Sequence, residues 1–367
     1  MSFPSGGLPR RHDSLVADWP SPDTRSIVAI LNGRDGVDVE SCSPNQILAN
    51  TSSPRSVLCF LAERHLIANS RRCTGCTAPC HLVKLESSFP HYFAWRCGTA
   101  RGCQSVSSVR AGSIFDDESA RPLTLRECVL IMYWWVDGFE LCEGPREFMS
   151  KHLGYRSSFA PPQLDAWCKR LRGLARTQLR SHPIKLGGKT YFTAKAMAVY
   201  VHLDYNTRDN KRRLFAIELV SRRCVMCMIH GDGVAQTVIK IELHVSAGSQ
   251  VVCSGVPPAA LTTLRKRKLY ESIVLDPLRR SRPLPQVQVV MREVMDLQVK
   301  YGQNAPQLTE EFMEEYNFRR ELDSAITSIF GKYAHLSLLC HHVREQFPIS
   351  LGSGAFETAS DPYRCLI

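Results

Sequence analysis

The sequence predicts a mixed α+β or α/β chain of several modest domains, and three observations predict it. Two short cysteine pairs lie within residues 73–103, apolar residues of 116–184 recur at helical spacing, and from Gly187 onward short apolar runs alternate with helical stretches. Of the 367 residues, 44% are hydrophobic and 22% are charged, which is typical of globular domains. A chain of this length can form about two or three such domains.

The chain is predicted to open with a poorly ordered lead-in, residues 1–55, followed by a short helix. The lead-in is rich in Ser, Pro, Asn and Asp and has no sustained hydrophobic period. From Ser56 onward, apolar residues that include Val57 and Leu61 recur at steps of three and four, which predicts a helix. We group this helix with the cysteine segment that follows it as one domain, residues 56–115.

Four cysteines in this domain predict a zinc ribbon. A C-x2-C pair is followed, after about twenty residues, by a second pair, so that two knuckles can place four thiolates around one tetrahedral Zn²⁺ ion. The predicted ligands are Cys73, Cys76, Cys97 and Cys103. The alternative interpretation is four buried free thiols. Cys80 and His81 lie nearby and are predicted to be bystanders.

The segment between the two cysteine pairs is predicted to form a hairpin. Residues 81–85 and 91–95 alternate in polarity like two strands of a ribbon. Trp95, just before the second pair, and Phe93 would supply the small apolar support that a metal ribbon needs.

Residues 116–184 are predicted to be helical, with helices over 123–138, 143–153 and 161–181. The last of these carries five basic side chains between Cys168 and His182 and no acidic one. Such a run can face a polyanion or can be a solvated helix face. The five basic residues are Lys169, Arg170, Arg172, Arg176 and Arg180.

The second half is predicted to combine strands and helices. Strands are expected over 214–220, 224–229 and 250–253, and helices over 234–245, 286–301 and 307–329. Cys224 and Cys227 have the C-x2-C spacing, but residues three apart in a strand point to opposite faces, so both are expected in the core. Basic residues dominate 265–282 and acidic residues dominate 286–323, so the late helices are not expected to face a polyanion.

Composition excludes some classes of protein. The longest apolar run, 129–136, is far shorter than the roughly 18 residues that a membrane span needs, so no membrane association is expected. Fifteen cysteines in a long chain are too sparse for a disulfide scaffold and indicate reduced thiols inside the cell. The net charge of +11 favours a polyanionic partner.

Several motifs resemble one family. The ribbon reads Trp95-Arg96-Cys97 and then Cys103, and is followed by the stretch Ser107-Ser108-Val109-Arg110-Ala111-Gly112-Ser113-Ile114-Phe115 and by the aromatic pair Trp134-Trp135. Together these resemble the DNA-binding front half of the ISXO-two-like DDE transposases, the family behind the Merlin-type elements. Residues 312–320 resemble the closing helix of the family, and the resemblance covers about 56–330.

The resemblance implies a fold and a set of partners. It implies that 116–184 is a helix-turn-helix-like DNA-binding segment, that 185–330 is a ribonuclease-H-like domain, and that 331–367 is a tail. It also implies double-stranded DNA as the partner and a nuclear location, and it leaves a homodimer open. The DNA contacts expected on this basis are Arg110, Lys169, Arg170, Arg172, Arg176 and Arg180.

The resemblance also implies where catalytic residues would stand. In this family three acidic or amide side chains hold two divalent metals that activate a nucleophile for attack on a phosphodiester. Aligned on the glycines and flanking motifs, the three positions hold Ala194, Ser254 and Gln288. These are poor Mg²⁺ ligands, so Mg²⁺ is not expected, and the motifs are degenerate.

The expected function is therefore that of a transposon-derived DNA-binding protein that does not cleave DNA. One alternative is an active transposase that uses the displaced carboxylates Asp204, Asp232 and Asp276. Another is a protein-interaction module in which the zinc ribbon is structural and the acidic late helices carry the partner surface.

Overall fold

The structure, a computed structural model, describes most of the chain between residues 51 and 327. The described residues are 51–64, 66–84, 93–98, 105–116, 123–137, 161–189, 195–206, 211–221, 223–231, 233–276, 284–300 and 309–327, with Ile47, Ala49, Cys103, Glu147, Ser150, Lys151, Leu339 and Val343. The predicted helix 143–153 and most of the predicted lead-in and tail lie outside these residues. The chain divides into two compact units, Met1–Leu130 with Val343–Ile367, and Ile131–His342.

The described part is mixed α+β, as predicted. Its helices are α1 (Pro54–Glu63), α2 (Leu125–Asp137), α3 (Pro161–Ser181), α4 (Gly233–His244), α5 (Pro258–Arg267), α6 (Pro285–Lys300) and α7 (Glu310–Thr327). Its strands are β1 (Cys80–Lys84), β2 (Phe93–Cys97), β3 (Val106–Ser108), β4 (Leu186–Gly187), β5 (Ala198–Asn206), β6 (Lys211–Glu218), β7 (Cys224–Ile229), β8 (Val245–Ser246), β9 (Gln250–Ser254) and β10 (Ser272–Leu275). None of the described helices is long and apolar enough to cross a membrane.

The first unit contains α1 and a small antiparallel sheet. Helix α1 starts two residues before the predicted position, because Pro54 suits a first helical turn and Ser53 caps it in a reciprocal pair of hydrogen bonds with Ser56. Strands β1, β2 and β3 lie in that order and are antiparallel, so the predicted hairpin is confirmed. Trp95 in the central strand is fully buried, as its predicted supporting role requires.

The second unit is built on a five-stranded sheet in the order β10-β9-β5-β6-β7. Strand β6 is antiparallel to β5 and β7, whereas β9 and β10 run parallel to β5. Helix α4 follows β7 along the chain, and α5 connects β9 to β10. Numbered along the chain, the five strands therefore lie 3-2-1-4-5 across the sheet, and the second strand alone runs opposite to the others.

Apolar side chains cover both faces of this sheet. On one face, Val199 and Val201 pack in a core cluster that includes Val238, Ile241 and Leu264 from α4 and α5. The opposite face packs in a second cluster with residues of α6 and α7. Cys224 belongs to the second cluster, whereas Cys227 packs against the first, so the prediction that this C-x2-C pair points to opposite faces of a strand is confirmed.

The edge strand β7 is covered by a side chain of α7. Asn317 accepts a hydrogen bond from the backbone N–H of Met226 (2.9 Å) and donates one to the C=O of the same residue (2.6 Å). The amide thus takes the place of a neighbouring strand and satisfies an edge that would otherwise be open. Asn317 itself is buried.

Replacing Asn317 with leucine is expected to destabilise this edge by at least about 2 kcal/mol. The replacement keeps the volume but leaves a buried donor and a buried acceptor unmet, each of which costs about 1–3 kcal/mol. Hydrogen exchange of the Met226 amide and urea unfolding would measure the effect. Glu310→Gln, a partly exposed change on the same helix, should leave both unaltered; equal exchange of Met226 in the two variants would contradict the edge role.

Candidate metal centre and basic helix

The four predicted zinc ligands lie together. The Sγ atoms of Cys73, Cys76, Cys97 and Cys103 are all within 4.8 Å of one another. The closest pairs are Cys76 with Cys97 at 3.3 Å and Cys73 with Cys103 at 3.5 Å. Thiolates bound to one Zn²⁺ at about 2.3 Å stand about 3.8 Å apart, so the cluster needs only small adjustments to close on a metal ion.

A tight hairpin shapes the first knuckle. The backbone N–H of Cys73 donates to Ala78 O (2.8 Å), and that of Thr77 donates back to Cys73 O (2.9 Å). Thr77 adopts a left-handed backbone (φ 58°), a conformation that glycine usually supplies, and this turns the chain after Cys76. Gly75 N–H points at Cys73 Sγ from 3.4 Å, as donors do toward thiolates.

The second knuckle docks on the first through backbone hydrogen bonds. Cys97 N–H donates to Ser105 O (2.9 Å), and Gly98 N–H donates to Pro79 O (3.2 Å) beside the first knuckle. Cys97 is the last residue of β2, so the sheet and the thiol positions are fixed by the same pairing. Two loops far apart in sequence thereby present their thiols to one point.

The thiols of the cluster differ in how readily they ionise. Hydrogen bonds from the backbone of Cys76 and Gly75 lower the pKa of Cys73 to about 6, which favours its thiolate. At Cys103 the hydrogen bond from the backbone of Ser105, which lowers the pKa, is outweighed by those with the other three thiols, which raise it to about 12. Cys80, which is opposite Cys97 in the sheet, is outside the group of ligand atoms, and burial raises its pKa. Four soft sulfur donors at tetrahedral spacing could hold a metal ion such as zinc.

The basic helix α3 does not present all of its cations to solvent. Lys169 and Arg180 are exposed, and the Arg170 guanidinium lies over the ring of Trp167 at 5.4 Å. Arg172 and Arg176, one turn apart, face the acidic helix α7 instead. Arg176 Nε pairs with Glu314 at 2.5 Å, and Arg172 lies 3.6 Å from Glu315.

Three of the residues expected to contact DNA are therefore placed unfavourably for that role. Arg110 is 2% exposed, which keeps its guanidinium from a phosphate. Arg172 and Arg176, four residues apart on α3, are paired with the consecutive residues Glu315 and Glu314 of α7. These three are therefore not expected to contact DNA, whereas Lys169, Arg170 and Arg180 remain predicted contacts. The run of acidic residues in 310–315 is a sequence signal for this pairing.

The pairing of α3 with α7 continues into a buried charged cluster that the sequence did not indicate. Arg319 and Glu315 of α7 form an ion pair with both side chains fully buried. The Arg319 guanidinium also lies over the rings of Trp134 (5.5 Å) and Trp135 (4.8 Å) of α2. The aromatic pair and the closing helix, which the sequence treats as separate motifs, meet at this guanidinium.

The strand pairing determines which residues stand beside the predicted catalytic position Ser254. Ser254 ends β9 opposite His202 of β5, and the His202 Nδ1 lies 3.3 Å from its Oγ. Both side chains are buried, and burial lowers the pKa of His202, which favours the neutral imidazole. Asp204, two residues further on β5, pairs with Arg213 at 3.6 Å.

Of the other predicted positions that the structure describes, Asp276 lies beside Ser254 and Gln288 is outside the sheet. Ala194 precedes β5 and, like Asp232, lies outside the described residues, whereas Gln288 is exposed on the first turn of α6. Asp276 follows β10, and its backbone N–H donates to Cys253 O (2.9 Å). The alignment on the glycines puts the first catalytic position, Ala194, before β5. The residue of β5 that stands beside Ser254 in the sheet is His202.

No protein-family model matches the chain, and no curated protein matches it.

Proposed function

We propose that this chain is a transposon-derived protein that binds double-stranded DNA through a zinc ribbon and a helical segment and does not cleave it. The observation that carries the proposal is the combination of a four-cysteine cluster with the five-stranded sheet. Its elements follow the order that the resemblance implies, with the ribbon first and the sheet last.

The sheet supports a ribonuclease-H-like second half. A ribonuclease-H-like domain has the strand order 3-2-1-4-5, in which only the second strand runs antiparallel, with a helix before the fourth strand and another before the fifth. Strands β5, β6, β7, β9 and β10 with helices α4 and α5 have this arrangement. The helix-turn-helix is a further part of the proposal, and α2 and α3 are the helices that the structure gives for this segment.

The residues at the paired ends of β5 and β9 support the absence of cleavage. Two divalent metals share a site only when several carboxylates offset their mutual repulsion. On β5, which follows Ala194 along the chain, the imidazole of His202 faces the hydroxyl of Ser254. The carboxylate of Asp204, which the alternative of an active enzyme needs, is held by the guanidinium of Arg213.

The alternative of a protein-interaction module is less favoured at part of its proposed surface. Acidic side chains of α7 pair within the second unit: Glu314 with Arg176, Glu315 with Arg172 and Arg319. A carboxylate that is already paired and partly buried offers little to a partner. Zinc is the metal we propose for the cysteine cluster, because a closed set of four thiolates is a common structural zinc site.

Binding of random-sequence duplex DNA is expected to weaken steeply with salt. Lys169, Arg170 and Arg180 would contact phosphates. When the salt concentration rises from about 50 to 200 mM, the affinity falls about tenfold for every two phosphate contacts that the protein makes. Fluorescence anisotropy with the full chain measures this, and Lys169→Gln with Arg180→Gln should reduce the salt dependence. Salt-independent binding, or none, would contradict the proposal.

The same protein is expected to leave duplex DNA intact in Mg²⁺ or Mn²⁺. A plasmid-nicking assay and an assay on candidate element ends would detect cleavage. Nicking that Asp204→Ala abolishes would establish the active transposase instead.

A further inference from the structure

The C-terminal end of α5 presents a dense cluster of exposed cations. Arg265, Lys266 and Arg267 form its last turn, and Lys268 follows in a left-handed conformation (φ 52°) that ends the helix. All four side chains are exposed. Cations at a helix C-terminus are favoured by the helix dipole, so this arrangement is stable without a partner.

Two lysines from another part of the chain extend this cluster. Lys185 Nζ donates to Glu242 O (2.7 Å), and the carboxylate of Glu242 accepts from Arg267, so the two cations flank one residue of α4. The side chain of Lys189 lies over Gly248, because a Cβ built on Gly248 would be 3.5 Å from both the Cγ and the Cε of Lys189. The Gly248 N–H in turn donates to Leu269 O (2.8 Å), directly after α5.

The tertiary structure thus assembles one basic surface from segments that the sequence separates. Six exposed cations belong to it, and its acidic members are Glu242 and Glu271, the latter joined by its N–H to Ser249 O (3.0 Å). The cations are Lys185, Lys189, Arg265, Lys266, Arg267 and Lys268. We call this set the α5 basic surface.

The α5 basic surface lies away from the positions that a transposase would use for chemistry. Strands β9 and β10 run parallel from Gln250 and Ser272, which immediately follow this surface, toward Ser254 and Leu275. Ser254, with His202, is therefore at the opposite end of β9. A ligand on this surface would not occupy the degenerate catalytic positions.

We infer that the α5 basic surface binds the phosphate backbone of duplex DNA, as a contact in addition to the ribbon and α3. This inference rests on the proposed DNA-binding function and names a second surface for it. Long, exposed lysine and arginine side chains neutralise phosphates without reading bases. Single-stranded nucleic acids are instead bound by stacking on aromatic rings, and Tyr270, which follows α5, is packed against the core.

The test compares two variants of the full chain that lose equal charge. Arg265→Gln/Lys266→Gln/Lys268→Gln removes three cations of the surface and spares Arg267, which holds Glu242. Arg55→Gln/Lys211→Gln/Arg292→Gln removes three exposed cations elsewhere. Anisotropy with a short random-sequence duplex is measured over a range of salt. When log affinity is plotted against log salt concentration, the slope becomes shallower by about 0.9 for each phosphate contact that is lost. The slope of the first variant should therefore be shallower than that of the wild type by up to about 3. The second variant should keep nearly the wild-type slope.

The outcomes separate this inference from the proposed function. A wild-type slope and affinity in the first variant would overturn the inference and leave DNA binding standing. A chain that binds no duplex DNA would overturn both. Tighter binding of single-stranded RNA than of duplex, lost in the first variant, would overturn the choice of duplex DNA. Lys266→Glu alone, at an exposed position, provides the same comparison if the triple variant does not fold.

Discussion

Replacing Cys97 with serine is expected to abolish stoichiometric metal binding and to unfold the ribbon. Cys97 belongs both to the thiol cluster and to β2, the central strand of the small sheet. In the described part of the first unit, a three-stranded sheet, α1 and the start of α2 are the elements that hold its loops. Structural zinc sites contribute about 10–16 kcal/mol of apparent binding free energy, which is folding free energy when the site does not exist in the unfolded chain.

Elemental analysis of the purified full chain measures this effect. The wild type should carry one zinc per chain and Cys97→Ser none, with loss of hydrogen-exchange protection in residues 80–84 and 93–97. Cys80→Ser is the matched control, because Cys80 is the strand partner of Cys97 and a buried thiol outside the ligand group. A wild-type chain that folds with no metal, or equal zinc loss in both variants, would refute the zinc assignment.

Replacing Glu315 with glutamine is expected to destabilise the second unit by about 3–5 kcal/mol. Its carboxylate is fully buried, forms an ion pair with Arg319 and lies 3.6 Å from Arg172. Replacing this anion with a neutral amide removes the carboxylate that pairs with Arg319 and the nearer of the two carboxylates beside Arg172, and breaking a buried pair in this way costs about that much. Burial raises the pKa of the Cys168 thiol to about 12, and the charge of Glu315 adds to this effect.

Urea unfolding followed by tryptophan fluorescence measures this loss, because Trp134 and Trp135 lie against Arg319. Glu311→Gln on the same helix is the control: its carboxylate is 49% exposed and 3.9 Å from Arg172, so a change within about 0.5 kcal/mol is expected. The triple replacement Arg172→Met/Glu315→Leu/Arg319→Met should recover much of the stability, since apolar groups of similar volume often replace a buried ion cluster without loss. Equal effects of Glu311→Gln and Glu315→Gln would contradict this account.

Local patterns were sufficient for much of the secondary structure. The helix expected over 161–181 begins and ends at those residues, and α4 and α6 differ from their predicted bounds by one residue at each end. The cysteine spacing identified the ligand group, and the alternation of 81–85 and 91–95 identified the hairpin. These features depend on residues close in sequence, or on a spacing that one tetrahedral ion imposes.

The placement of single residues could not be predicted in the same way. The five cations of 161–181 are alike in sequence, but Arg172 and Arg176 lie on the side of the helix that meets α7, about 138 residues later, and Lys169 and Arg180 do not. Arg110, within a motif of polar residues, is buried. A run of charged residues shows only which side chains are charged. The partner of each charge depends on which helix faces pack together.

The sequence by itself determined the ribbon, its four thiols and the order of helices and strands, because period and spacing are local properties of the chain. Only the tertiary structure decided which cations remain exposed, that His202 stands beside Ser254, and that Lys185 and Lys189 join the end of α5. The physical reason is that strand register and helix packing are set by contacts between distant residues. A shift in either changes every neighbour of a side chain without changing the pattern of the sequence.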